Sequence, residues 1–282
     1  MTVSQTPQPA STRRGVVSIG VAGALGPAAI ARIAAAVEAA GFYALWINDT
    51  PQGDSVAGLH AAAEATEHLT LATGVIPLDR RSATEVAAAV NAAGLPEHRV
   101  TLGLGSGAGA KGALARVRDG LAVLREATHA DLLVGALGPK MRELAARDAD
   151  GVLLNWVTPA VAAEQAAEHR AVVDASGARS SSRVVAYART IVDAGARPRL
   201  DAEVAGYASI ASYAANFARL GIDAADTVLP RPGDSGIRTG VDAYTASVDE
   251  LVLRAITDTD DVEHYVEFVR RAAESLRDER DD

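Results

Sequence analysis

The run Asp131 to Trp156, DLLVGALGPKMRELAARDADGVLLNW, constrains the fold more than any other stretch of the chain. Leu132 to Ala136 reads as a short buried strand. After the Leu137-Gly138 turn, Pro139 sits at a first helical position, where its missing N–H costs nothing, and Met141, Leu144 and Ala145 recur at helical spacing. Asp150-Gly151 turns the chain into a second apolar strand, Val152 to Asn155. A strand, a helix and a strand joined by loops this short form a parallel crossover unit.

The same grammar repeats along the chain. Strands are expected at Gly15 to Gly20, Tyr43 to Asn48, Leu69 to Val75, Arg99 to Leu104, Val184 to Val192 and Leu251 to Ile256, besides the two above. A helical segment follows each. Pro27 starts one whose Ile30, Ile33, Ala34 and Val37 share a face, with Gly41 as its stop. Asp54 or Ser55 caps the next, and Ser82 with Glu85 has capping-box spacing for the third. Ala110 to Ala127 is the fourth, Thr158 caps the sixth, and a single long helix is expected over Ala202 to Leu220. Ile222 to Gly240, with its PRPG, reads as irregular, before a short helix at Val241 to Ala246 and a last one capped by Asp260 and Glu263. Eight strand and helix repeats predict a (β/α)8 TIM barrel over residues 15–277, with 1–14 as a disordered lead-in and 278–282 as a charged tail. The competing doubly wound sheet for a dinucleotide fits poorly. Neither GVAGALG after the first strand nor GLGSGAG after the fourth has the full glycine and acid spacing of that fingerprint.

Composition narrows the chemistry. A formal charge of -9 with no basic cluster argues against nucleic acid as a partner. The absence of cysteine removes disulfides, thiolate catalysis and Cys-ligated metals, and fits a cytoplasmic home. No run is apolar enough to span a membrane. The six histidines, His60, His68, His98, His129, His169 and His264, all lie away from the strand ends, as surface or helix-boundary groups, so no metal site is expected. In a barrel, function gathers where the strand C-termini open into loops. Those rim positions include Asn48-Asp49, Thr73-Gly74-Val75, Gly105-Ser106-Gly107, Gly135 to Lys140, Asn155-Trp156, Arg189-Thr190 and Ile256-Thr257. So many glycines suit close backbone approach to a large planar or phosphorylated ligand. No lysine lies within a strand to form the Schiff base of an aldolase or lyase.

Anion binding is argued from helix physics. Leu137, Gly138 and Lys140 open a helix, so free amides at Met141 and Arg142, the helix dipole and the Lys140 ammonium favour a phosphate there. Gly105, Ser106 and Gly107 offer a second set of amides and a hydroxyl in the neighbouring loop. The alternative is a Gly-Pro pair that only shapes a turn beside a solvated lysine. Asn155 and Trp156 either contact a ligand's chain or ring edge, or Trp156 caps the core.

Four blocks then carry a resemblance: GFYALWIND at Gly41 to Asp49, TEHLTLATGVI at Thr66 to Ile76, LPEHRVTLGLGSG at Leu95 to Gly107, and ALGPKMRELAARDADGVLLNW. Together they resemble the bacterial luciferase-like family, and within it the branch that uses the deazaflavin coenzyme F420. The resemblance implies hydride transfer at a deazaflavin ring, with FMN as the alternative cofactor, a small-molecule substrate and a homodimer. It implies a non-prolyl cis peptide at Gly74-Val75 that supports the ring, and an acidic residue near the ring at Asp49, with Asn48 beside it as a second candidate catalytic group. Two departures matter. Some F420-dependent dehydrogenases of the family carry a histidine base directly after that acid, where this chain has Thr50, which favours reduction of an activated acceptor over alcohol oxidation. Relatives also insert a substantial segment between strands four and five, where only Ala108 to Ala130 remains. An FMN-dependent monooxygenase and a non-catalytic flavin-binding barrel without a substrate lid are the competing readings.

Overall fold

Each apolar run pairs in parallel with the one before it, and the eighth closes on the first. This is seen in a computed structural model that describes residues 14–108, 111–177 and 182–277. The expected disordered lead-in, apart from Arg14, and the charged tail lie outside the described residues. In order, the elements are β1 (Val16–Ala22), α1 (Pro27–Ala39), β2 (Ala44–Asn48), α2 (Ser55–Glu64), β3 (Thr70–Pro77), α3 (Ala83–Ala93), β4 (Val100–Gly105), α4 (Ala113–Ala127), β5 (Asp131–Gly135), α5 (Pro139–Asp148), β6 (Gly151–Asn155), α6 (Pro159–Ser176) and β7 (Arg183–Thr190). They continue with α7 (Arg197–Ser209), α8 (Ala211–Leu220), α9 (Arg238–Thr245), β8 (Glu250–Ala255) and α10 (Val262–Leu276). The architecture is the expected (β/α)8 barrel of the luciferase-like kind. The segment between β4 and β5 holds a single described helix, α4.

Two layers of packing hold it together. The outer layer lies between strands and helices, where Ile30, Ile33, Ala34 and Val37 of α1 are all buried. Inside the barrel, period-two alternation turns Ala44, Trp46, Ala72, Leu133, Leu153, Val185, Tyr187 and Val252 inward as a separate apolar plug. Trp46 and Tyr187 meet edge to face there, with centroids 5.9 Å apart. Toward the N-terminal end the plug finishes on Glu250, whose Oε1 accepts from Ser18 Oγ and Trp46 Nε1, each at 2.6 Å. Burial pushes the Glu250 carboxyl up, against the pull of Ser18 and of Arg183, whose guanidinium lies 3.8 Å away.

Local grammar holds at most helix starts. Asp54 caps α2 by accepting from the amides of Val56 and Ala57, Ser82 and Glu85 form a full capping box on α3, and Thr158 caps α6. Three expectations are corrected. The Ala202 to Leu220 helix starts earlier, at Arg197, and breaks in two at Ile210, which has extended backbone. Asp260 does not cap the last helix, because it is drawn to Arg199 at 2.7 Å, and α10 begins after Asp261 without a side-chain cap. His169 is not a surface group. It is 2% exposed within α6, its Nε2 lies 2.8 Å from Ser182 Oγ, and burial together with Arg170 pushes its pKa down to about 4.

Candidate functional site at the C-terminal mouth of the barrel

The alternation that fills the barrel also decides which residues reach its mouth. One step above the apolar plug, the inward rows end in Ala22 of β1, Asn48 of β2, Gly74 of β3, Gly105 of β4, Gly135 of β5, Asn155 of β6, Arg189 of β7 and Arg254 of β8. The ring is lopsided. From β3 to β5 it is glycine, and from β6 to β8 it is amide and guanidinium.

On the glycine side, the β3–β4 register shifts between Thr73 and Ile76, and the Gly74–Val75 peptide is cis, as the resemblance led one to expect. Thr73 is buried below it, with its Oγ1 bonded to the Gly103 amide at 3.0 Å and carbonyl at 3.2 Å, which pins β3 to β4. Val75 is thrown across the neighbouring strands. A Cβ on Gly105 would meet Val75 Cγ2 at 2.6 Å, and one on Gly135 would meet Val75 Cγ1 at 2.9 Å. These glycines therefore make room for Val75 rather than for a ligand's direct approach. Asn48 Nδ2 donates to the Gly74 carbonyl, while Asn48 Oδ1 is buried without a partner. Tyr187 OH is also buried and unpartnered, set against Gly74, and its pKa is pushed up by burial. Asp49 is already engaged: its carboxylate, 6% exposed, accepts from Ser55 Oγ at 2.8 Å and pairs with Arg80. Thr50 follows it with a buried, unpartnered hydroxyl.

The two loops expected to bind an anion are engaged by the protein's own groups to different degrees. The Ser106-Gly107 loop is gripped by Asp79, whose Oδ2 accepts the Ala108 amide at 2.8 Å, and by Arg116, which donates to the Ser106 carbonyl at 2.8 Å. A carboxylate already fills part of that amide nest. At α5, the amides of Met141 and Arg142 both donate to the Gly138 carbonyl at 3.1 Å. This corrects the expectation that they are free, because the first turn closes on its own N-cap. Lys140 is exposed on that turn, Gly138 has open space where a Cβ would point, and the Leu137 carbonyl accepts from Arg142 at 3.3 Å and Arg219 at 2.9 Å. Three cationic side chains thus surround the N-terminus of α5.

The opposite side of the mouth was not legible from motifs. Trp156, 1% exposed, holds a left-handed backbone with φ 55° and lies under α7 and α8 with Phe217 and Tyr207. Its burial places it in a satellite core with Ile191, Leu200, Val228 and Ile256, the capping role weighed above. Arg189 packs against the rings of both Trp156 and Tyr207, its guanidinium carbon 4.0 and 4.8 Å from their centroids. It donates to Asn155 Oδ1 and pairs with Glu203 at 2.9 Å. Burial works to raise the Glu203 carboxyl, but Arg189, with Arg254 and Arg199, outweighs it and holds it below the usual carboxylate range. Beside this cluster a cleft of about 490 Å³ opens between β8, β1 and α7, lined by Ala22, Arg199, Ala202, Glu203, Arg254 and Asp260 among others. Of the rim positions named in the sequence, Ile256-Thr257 lines it, and neither Arg254 nor Glu203 was among them. The signal available was a charge at an inward position of the apolar run ELVLRA. Among the described residues no group of acidic or histidine side chains is placed to hold a metal ion, and no helix is long and apolar enough to cross a membrane.

With this geometry in view, the comparisons agree on the class of barrel. A family model described as Luciferase-like monooxygenase matches residues 8–130. Among solved structures, an F420-dependent secondary alcohol dehydrogenase in complex with an F420-acetone adduct superposes with a TM-score of 0.73 at 13% identity, over 94% of this chain and 100% of that one. The coenzyme F420 dependent tetrahydromethanopterin reductase of Methanopyrus kandleri gives 0.63 at 17% identity, over 94% and 99%. The oxygenating constituent of 3,6-diketocamphane monooxygenase from Pseudomonas putida, in complex with FMN, gives 0.64 at 14% identity, over 92% and 97%. No curated protein sequence matches. The shared feature is the luciferase-like (β/α)8 fold, and these neighbours include both F420-dependent and FMN-bound proteins.

Proposed function

We propose that this protein is an oxidoreductase of the luciferase-like family that transfers a hydride between coenzyme F420 and a small organic acceptor, working as a reductase. The observation that carries the reading is the β3–β5 side of the mouth. There the strand register breaks at Thr73 to Ile76, Val75 is seated over Gly105 and Gly135, and the side-chain Oδ1 of Asn48 is left without a partner beside it. A planar heterocycle with N–H donors fits that surface, since a buried acceptor without a donor is costly until one arrives. When bound, the deazaflavin supplies the hydride chemistry. Asn48 would accept from the ring edge, and Gly74-Val75 would support one face. Gly138 and Lys140, with Leu137 in the turn, would hold the phosphate end, and Gly105, Ser106 and Gly107 would frame it. Asp49, tied to Ser55 and Arg80, orders the β2–α2 loop around the site rather than taking a proton. Thr50 in place of a histidine leaves no base at this loop, which is why reduction is preferred. Small-molecule binding in a homodimer completes the proposal.

A second reading, an FMN-dependent enzyme, is favoured by the FMN-bound neighbour. Fluorescence titration of the purified protein with F420 and with FMN separates the two. Consumption of reduced F420 against a panel of activated alkenes and imines then tests turnover. Tight FMN binding without response to F420 would overturn the first reading, and F420 binding with no turnover on any acceptor would make the protein a carrier.

A further inference from the structure

Two arginines stand side by side at the barrel mouth. Arg189 of β7 and Arg254 of β8 are register partners on adjacent parallel strands, both on inward rows. Like charges in direct cross-strand register are destabilising, so their retention needs an answering anion. Glu203 answers Arg189. Arg199, the third cation, is answered by Asp260 at 2.7 Å. Arg254 is left over: its guanidinium donates to the carbonyl of Ala255, and no carboxylate lies within ion-pair distance of it among the described residues. The side chain is half-buried and lines the cleft of about 490 Å³, within the size range of small-metabolite sites. The two carboxylates on the cleft wall bond other partners, Glu203 to Arg189 and Asp260 to Arg199, so Glu203 acts on Arg254 only at longer range and the three guanidiniums face two carboxylates.

We propose that Arg254 is the anchor of an anion subsite in the cleft between β8, β1 and α7, and that the substrate of this barrel carries a carboxylate or phosphate held there. A guanidinium presents paired N–H donors that match two oxygens of such a group, and the partly dry mouth strengthens the bond. The assignment of the anion to the substrate rests on the hydride-transfer reading, in which the cofactor occupies the β2–β5 side. The subsite itself rests on the unmatched charge.

The test is calorimetric titration of the full chain with inorganic phosphate and with succinate. Saturable binding is expected for the unaltered protein, with affinity falling about 10- to 100-fold in Arg254→Met and less in Arg254→Lys. Ala202→Glu provides a second variant, on the exposed side of α7, that sets a carboxylate into the cleft without touching a strand. It should weaken both anions to a similar degree. Binding that is unchanged in Ala202→Glu and in a folded Arg254→Met overturns the subsite. The same variants titrated with F420 and FMN identify the source of the anion. Cofactor affinity that is unchanged supports a substrate acid, and cofactor affinity that falls in step with phosphate overturns it. Arg254-dependent phosphate binding in a protein that takes neither cofactor supports the subsite and overturns only the hydride-transfer reading.

Discussion

Replacing Glu203 by Gln tests the charge balance at the mouth most directly. The substitution keeps the side chain's length and an oxygen able to accept from Arg189, so what it removes is charge. Arg189 is 5% exposed and packed against two aromatic rings, which leaves its charge little contact with solvent. Breaking one side of a fully buried ion pair costs about 3–5 kcal/mol. Glu203 is 25% exposed, and the retained amide oxygen still bonds the guanidinium, so about 2 kcal/mol is expected here. On a chain of this size that corresponds to a fall in melting temperature of roughly 4–8 °C. A double-mutant cycle with Arg189→Met isolates the pair, because in that background no buried cation remains for residue 203 to answer. The expected coupling is about 1.5 kcal/mol. The sign in pH follows from the Glu203 carboxyl being held below its ordinary 4.5. Its stabilisation is present above that value and disappears as pH falls through the depressed folded-state value, so Glu203→Gln should be flatter than the unaltered protein only on the acid side. A coupling under about 0.5 kcal/mol, the level of an exposed pair, would refute the view that Arg189 is held at the mouth by Glu203.

The remaining expectations use the same geometry. Lys140→Ala should weaken cofactor binding by roughly 1.5–3 kcal/mol with the melting temperature of the empty protein unchanged, and unchanged affinity in a fluorescence titration would reduce the α5 turn to a structural role. Gly138→Ala should leave stability within about 0.5 kcal/mol, since its φ is -96° and nothing lies within 4 Å of the added methyl. Gly103→Ala, whose methyl would drive into the Thr73 carbonyl, should cost about 3 kcal/mol in chemical denaturation, and equal behaviour of the two variants would count against the packing described here. For His169, whose pKa is pushed down to about 4, neutral burial stabilises fully above the unfolded value near 6.5 and is lost as pH falls toward 4. A melting curve series across that window should steepen relative to His169→Gln by roughly 2–3 kcal/mol in total, and superimposable profiles would show that the ring opens to water freely.

The barrel was legible because its strands are buried on both sides, so that Leu132 to Val134 or Leu251 to Leu253 read as unbroken apolar runs between turn residues. Caps were legible where the partner lies within three residues, as in Ser82 with Glu85. They failed where a distant group competed, since Arg199 takes Asp260 from 61 residues away. The break at Ile210 has no proline or glycine within three residues to announce it in YASIASY. It follows from wrapping Tyr207, Tyr213 and Phe217 around Trp156, a tertiary cause. His169 was hidden by the alanine-rich face of α6, where small side chains give no clue to which side is buried. At the site, rim positions were predicted from strand ends alone. That located Asn48, Asn155 and the glycines, but not Glu203, which reaches the mouth from a helix, nor Arg254, whose inward direction becomes meaningful only once Arg189 is known to be its neighbour.

The two sides of the mouth differ in what they are made of, and this difference has a consequence for how the protein divides its work. The matched stretch, residues 8–130, contains β1 to β4 and the bulge at Gly74-Val75, features of backbone shape that suit a large ring whatever its substrate. The arginines, Glu203 and the α7–α8 pair come from the other half of the chain and act through side-chain charge. A ring needs shape and satisfied edges, whereas a small acceptor needs a fixed anchor that sets which atom faces the ring. Charge on β7, β8 and α7 can therefore change with little effect on the surface on β2 to β5, because the apolar plug of Trp46, Tyr187 and Val252 lies beneath both. Substitutions at Arg254 should accordingly alter acceptor affinity and leave cofactor affinity alone, and those at Asn48 should do the reverse.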